Sequence, residues 1–93
     1  MIRSFADKDT ERLFRGRRVA KYGPDLTRRA LEKLLMLNAA NTLNDLTMPP
    51  GNRLESLGGG RKGQHSIRIN DQYRICFTWT YSGPDQVEIT DYH

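Results

Sequence analysis

The sequence predicts an α+β fold, with two N-terminal helices packed on a twisted, mainly antiparallel sheet. Three observations carry that prediction. Apolar residues in the first half recur at three- and four-residue steps, the period of a helix. Those in the second half alternate with polar ones, the period of a half-buried strand. Between the halves stands Met48-Pro49-Pro50-Gly51, which stops regular structure. At 93 residues and 10.7 kDa the chain is read as a single domain, residues 1–93.

The elements follow in order. Ile2-Arg3-Ser4-Phe5 alternates and reads as an edge strand. Residues 7–15 read as a helix, with Asp7 or Asp9 accepting from its first free amides and Leu13 and Phe14 forming its apolar side. Arg15-Gly16-Arg17-Arg18 ends it. Gly23-Pro24-Asp25 opens a second helix, because proline fits the first helical position and aspartate favours the positive end. Leu26, Ala30, Leu31, Leu34, Leu35 and Leu37 give that helix an apolar face, and it should run to about Ala40. Residues 42–46 add a short turn. Residues 64–69 and 73–80 then alternate as two strands joined by Asn70-Asp71-Gln72. Ser82-Gly83-Pro84-Asp85 is a second turn, and residues 86–92 form a third strand.

Composition narrows the function classes. Fifteen Lys and Arg against eleven Asp and Glu give a net charge of +4, with a pI near 9.6. No apolar run approaches the length of a membrane-spanning helix, about 20 residues. Residues 1–7 lack the apolar stretch of a signal peptide, and the lone Cys76 cannot form an internal disulfide. A reducing cytoplasm is therefore expected. One cysteine and two histidines, His65 and His93, give no zinc spacing, and Gly58-Gly59-Gly60-Arg61-Lys62-Gly63 lacks the end of a phosphate-binding loop. No metal and no cofactor are expected.

Alternation sorts the strands by face. Ile67, Ile69, Tyr73, Ile75, Phe77, Trp79, Val87 and Ile89 should pack on the helices. Gln64, Ser66, Arg68, Arg74, Cys76, Thr78, Glu88, Thr90 and Tyr92 fall on the opposite, uncovered face. Two arginines beside a tyrosine suit a phosphate backbone and a stacked base. The same residues also suit a solvated face held by cross-strand pairs such as Arg68 or Arg74 with Glu88. The basic stretch Arg15, Arg17, Arg18 and Lys21 adds to the nucleic-acid reading. His65 has apolar parity and should pack at the sheet margin.

The run from Pro49 through Leu57, the run from Gly63 through Phe77, and the ending Asp91-Tyr92-His93 together resemble HigB-type toxins. These belong to the RelE/ParE superfamily of toxin–antitoxin modules. The pattern G-x-x-S-I-R-x-N-x-Q-Y-R-I with the terminal Asp-Tyr-His carries the resemblance, and length and element order extend it over the whole chain. It implies a microbial-RNase-like fold and an endoribonuclease that cuts mRNA in the ribosomal A site, inhibiting translation. It also implies a helix-turn-helix antitoxin of the HigA type, through which alone the toxin meets operator DNA. Arg74 matches the superfamily's phosphate-contacting arginine, and Arg68 a basic position on the preceding strand. Tyr92 and His93 match the C-terminal aromatic and imidazole, and Glu55 the glutamate base of YoeB-like toxins. Gly58 stands where many relatives carry lysine, leaving Arg61 and Lys62 as the nearest cations.

The resemblance thus implies catalytic roles for Glu55 as base, Arg74 as phosphate clamp, His93 as acid and Tyr92 as stacking partner. Arg68, Arg53, Arg61, Lys62, Arg17 and Arg18 are expected on RNA. Two alternatives share the fold. One is a ParE-like inhibitor of DNA gyrase, which would not need Glu55, Arg74 and Tyr92-His93 together. The other is a non-catalytic module acting through its antitoxin and DNA.

Overall fold

The computed structural model describes residues 1–91. Helix α1 spans Lys8–Phe14. Asp7 caps it, its carboxylate accepting from the Thr10 amide at 3.1 Å. Leu13 is buried, and so is Thr10, whose hydroxyl accepts from the Ile89 amide at 3.0 Å and so ties the helix to the sheet. Gly16, at φ 79°, lets the chain leave α1 through the left-handed region.

Helix α2 spans Pro24–Ala39, with proline in its first turn as the sequence requires. Ala30, Leu34 and Leu37 are fully buried. Leu35, expected on that face, is 51% exposed. One residue is a rotation of about 100°, so Leu35 cannot share a face with its neighbour Leu34. Two short 3₁₀ turns follow, Leu43–Thr47 and Pro50–Asn52. The first is held by a reciprocal capping box between Thr42 and Asp45.

The sheet has four antiparallel strands in sequence order: β1 Glu55–Ser56, β2 His65–Arg68, β3 Tyr73–Thr80 and β4 Gly83–Asp91. Strand β3 has the bounds that its eight-residue alternation predicts. The second turn is tighter than expected, because Gly83, Pro84 and Asp85 already belong to β4. The register shifts between Cys76 and Thr78, where Gln86, at φ 52°, is accommodated as a bulge. That extra residue keeps Val87 and Ile89 on the core side.

The N-terminal segment runs parallel to the free edge of β4. Phe5 bridges Val87; the Arg3 amide donates to the Pro84 carbonyl at 2.7 Å, and the Val87 amide to the Ser4 carbonyl at 3.0 Å. The pairing closes an edge that would otherwise be open.

One cluster of buried apolar side chains fills the space between the helices and the sheet. It includes Leu13, Leu34, Leu37, Ile67, Ile69, Ile75, Phe77, Val87 and Ile89. Tyr73 and Trp79 pack against it, half-buried. The facing expected from alternation therefore holds on this side.

The other face departs from expectation. Ser66, Arg74 and Cys76 are buried there too. Strand β1 adds to the edge of β2, and the segment leading into it folds over the face at Arg74, where the Arg53 carbonyl meets the guanidinium. A two-residue strand with no alternation gives no periodic signal, which is why β1 was not expected.

Candidate active site

The site is assembled around Arg74, the second residue of β3. Its neighbours across the sheet are Arg68 on β2 and Thr90 on β4. The arginine side chain is only 8% exposed. Its Nε donates to the Ser66 hydroxyl at 2.7 Å. Its Nη2 donates to the Arg53 carbonyl at 2.6 Å and to the Ser66 carbonyl at 3.3 Å. Glu55 Oε1 lies 3.5 Å from the same nitrogen. The guanidinium is thus fixed in position and orientation before any ligand arrives.

The Arg53 carbonyl reaches Arg74 because Arg53 adopts left-handed backbone, φ 45° and ψ 54°. For a residue with a side chain that conformation is uncommon and needs support from its surroundings. Asn52 supplies the support. Fully buried, its amide nitrogen donates to the Leu46 carbonyl at 3.1 Å and the Met48 carbonyl at 3.3 Å, and its oxygen accepts from Lys33 on α2 at 2.7 Å. A chain of polar contacts therefore runs from α2 through Asn52 and the Arg53 carbonyl to Arg74. Asn52 and the Arg53 carbonyl were not foreseen. Ser66 was expected on the face of Arg74 by its parity, but not as the partner of the guanidinium.

Glu55, at 46% exposure of its side chain, presents a carboxylate at the rim of this buried arginine. An ion pair at that exposure contributes little stability. It does keep a proton-accepting group beside a fixed cation. The cross-strand pairs of Glu88 with Arg68 or Arg74 that alternation allowed do not form, since Arg68 pairs with Asp71 and Arg74 with Glu55. Arg61 instead pairs with Glu88 at 2.7 Å, which holds the guanidinium charged over a wider pH range than usual. Glu88 lies opposite Cys76 in the register, so this pair sits one step along the face from Arg74.

The remaining expected residues are dispersed. The side chains of Arg53 and Lys62 are exposed. Arg68 bonds Asp71 across the β2–β3 turn and lines a depression of about 390 Å³ with Arg28, Arg29 and Lys33 of α2. Arg17 and Arg18 lie in the α1–α2 loop, on the helix layer and away from the Arg74 face. Tyr92 and His93 lie outside the described residues. His65 stacks on Phe77, 6.3 Å between ring centres, and its Nε2 lies 3.3 Å from the Ser56 hydroxyl. Among the described residues no group of three His, Cys, Asp or Glu side chains is placed to hold a metal, and no helix is long and apolar enough to cross a membrane.

Residues 3–93 match the family model of the RelE-like toxin of type II toxin–antitoxin system HigB. The chain belongs to this family. Toxin HigB-1 of Vibrio cholerae is 42% identical over 80 residues, which cover 85% of this chain and 84% of that protein. An uncharacterized Haemophilus influenzae protein is 43% identical over 47 residues, half of this chain and 46% of the other. Among solved structures, the YoeB-YefM complex from Staphylococcus aureus superposes with a TM-score of 0.63 at 15% identity, covering 100% of this chain and 98% of that one. At that identity the likeness shows the shared α+β fold. The chain is thus a HigB-like toxin of a type II module, whose partner is an antitoxin.

Proposed function

We propose that this toxin is a ribosome-dependent endoribonuclease that cleaves mRNA in the A site and so inhibits translation in the cytoplasm. The single observation that carries the reading is the fixed Arg74–Glu55 pair, a cation and a carboxylate 3.5 Å apart on one side of the sheet.

RNA supplies its own nucleophile, the 2′-hydroxyl, so the reaction needs neither metal nor cofactor from the protein. Glu55 accepts the 2′-hydroxyl proton as the oxygen attacks the adjacent phosphorus. Arg74 neutralises the charge that builds on the phosphorane oxygens. His93 protonates the 5′-oxygen as the phosphorus–oxygen bond breaks, leaving a cyclic phosphate on one fragment and a 5′-hydroxyl on the other. Tyr92 stacks on the nucleotide and holds it in line. Arg53, Arg61, Lys62 and Arg68 meet neighbouring phosphates, whose contacts position the strand without reading its sequence. A helix-turn-helix antitoxin of the HigA type restrains the toxin and carries it to operator DNA.

Each acid–base partner is worth about 10²–10⁴-fold, and Gly58 supplies no side chain where relatives have a cation. A site this sparse gains the rest of its rate from mRNA held rigidly by the ribosome. Primer extension on one mRNA, translated and free, tests the reading. Cuts within codons on translated mRNA alone support it. Intact mRNA under both conditions contradicts it.

A further inference from the structure

Lys33 differs from the other cations of α2. Arg28 and Arg29 turn back to Asp25, one turn earlier on the same helix. The residues one turn from Lys33 are Arg29, Ala30, Met36 and Leu37, none of them acidic. The half-buried Lys33 side chain instead reaches out of the helix, and its ammonium donates to Asn52 Oδ1 at 2.7 Å. Because one partner is charged, this bond is stronger than one between two neutral groups.

The bond decides which way the Asn52 amide faces. An ammonium only donates, and a carbonyl only accepts. With Lys33 on one side and the Leu46 and Met48 carbonyls on the other, Oδ1 must face α2 and Nδ2 must face the carbonyls. Exchanging the two would set donor against donor and acceptor against acceptor at a fully buried position. Asn52 is the last residue of the 3₁₀ turn Pro50–Asn52, so fixing its side chain fixes where that turn ends and Arg53 begins. Arg53 is held there in left-handed backbone, at ψ 54°. Relaxation to extended backbone would carry ψ to about 135°, a swing of about 80°. That swing would take the Arg53 carbonyl off Arg74 Nη2, which it meets at 2.6 Å.

We infer that Lys33 is a positioning residue for cleavage, acting through Asn52 and the Arg53 carbonyl on the Arg74 guanidinium. This rests on the reading of Arg74 as the phosphate ligand. The competing role is a direct one, because Lys33 also lines the depression that Arg68 lines, where it would meet an RNA phosphate itself. The two roles leave different kinetic marks. A contact made equally in the ground and transition states sets substrate affinity. A guanidinium held in the right place acts on the charge of the transition state and sets the maximal rate.

The test is Lys33→Met in the full chain, which keeps an unbranched stem and removes the donor. Single-turnover cleavage of mRNA on ribosomes should show the maximal rate falling about ten- to a hundredfold. The half-saturating toxin concentration should stay within about twofold. NMR of the isotope-labelled toxin reads the same path without substrate. Exchange of the Arg74 Nη protons with water should quicken about tenfold or more, and the Asn52 side-chain amide signals should shift. A raised half-saturating concentration at unchanged maximal rate would overturn the inference in favour of direct contact. So would unaltered Arg74 signals, or altered Arg74 signals with those of Asn52 unmoved. In an Asn52→Ala background Lys33→Met should cost no further rate, and full additivity would count against the path through Asn52. Asn52 is fully buried, so melting curves accompany that variant, and Lys33→Met decides alone if it does not fold. Uncut mRNA with the wild type would sink the nuclease reading, and the Arg74 and Asn52 signals would still decide whether Lys33 positions the guanidinium.

Discussion

Arg74 is both a buried cross-tie and the proposed phosphate ligand, and the two roles depend on the same hydrogen bonds. Ser66→Ala removes the acceptor of Arg74 Nε and leaves a buried charged donor short of a partner. It should lower stability by about 1–3 kcal/mol in denaturant unfolding. It should also slow cleavage, because the guanidinium then samples more than one orientation. Ser66→Thr keeps the hydroxyl and should restore the rate; a Thr variant as slow as the Ala variant would remove this positioning role. Gly58 permits a gain-of-function prediction. A side chain there meets nothing within 4 Å, and its backbone, at φ −117°, suits any residue. Gly58→Lys should therefore raise cleavage by about tenfold or more if a cation there helps to neutralise the transition state. The resemblance pointed to Arg74 and Glu55 from their neighbours in sequence. Asn52 and the Arg53 carbonyl were not legible in the same way, because their roles depend on where a non-repeating loop lands; Ser66 had the parity of Arg74, but parity alone does not show their hydrogen bond.

At the scale of elements, legibility followed periodicity. Strand β3 and helix α2 have many residues repeating one pattern, so their position and inward face could be read nearly to the residue. β1 has two residues, and it exists because β2 offers it an edge. The coverage of the Arg74 face depends on that pairing, so a face expected to be open is half-closed. The connecting turns are held by specific polar contacts. The Asp45 carboxylate accepts from the Asn41 and Thr42 amides at 2.9 and 3.0 Å, which holds its pKa below the ordinary carboxylate value. A depressed folded pKa contributes stability above the unfolded value, near 3.9, and loses it as pH falls through the lower folded value. Asp45→Asn should therefore lower thermal stability at neutral pH and change it little at acid pH, so that the acid limb of the profile flattens. An unaltered acid limb in melting curves would show that the capping box does not contribute to acid sensitivity.

For the whole molecule, the N-terminal segment closes the sheet that the C-terminal strand opens. Gly83 sits at φ 125°, and a Cβ there would run into the Met1 carbonyl. Gly83→Ala should cost more than about 1 kcal/mol and expose the N-terminal segment to proteases; wild-type resistance to proteolysis would contradict that packing. The charge of +4 is also organised rather than spread evenly. Arg53 and Arg61 lie at the Arg74 face, while Arg17 and Arg18 line a cleft on the helix side. The proposed role of Arg74 is to act on the scissile phosphate of translated mRNA. It is tested most directly by primer extension in a translation reaction with the wild type and Arg74→Ala at equal amounts of folded protein. Cuts within codons are expected for the wild type, with a loss of about a hundredfold or more for Arg74→Ala. Equal cutting by folded Arg74→Ala would contradict it.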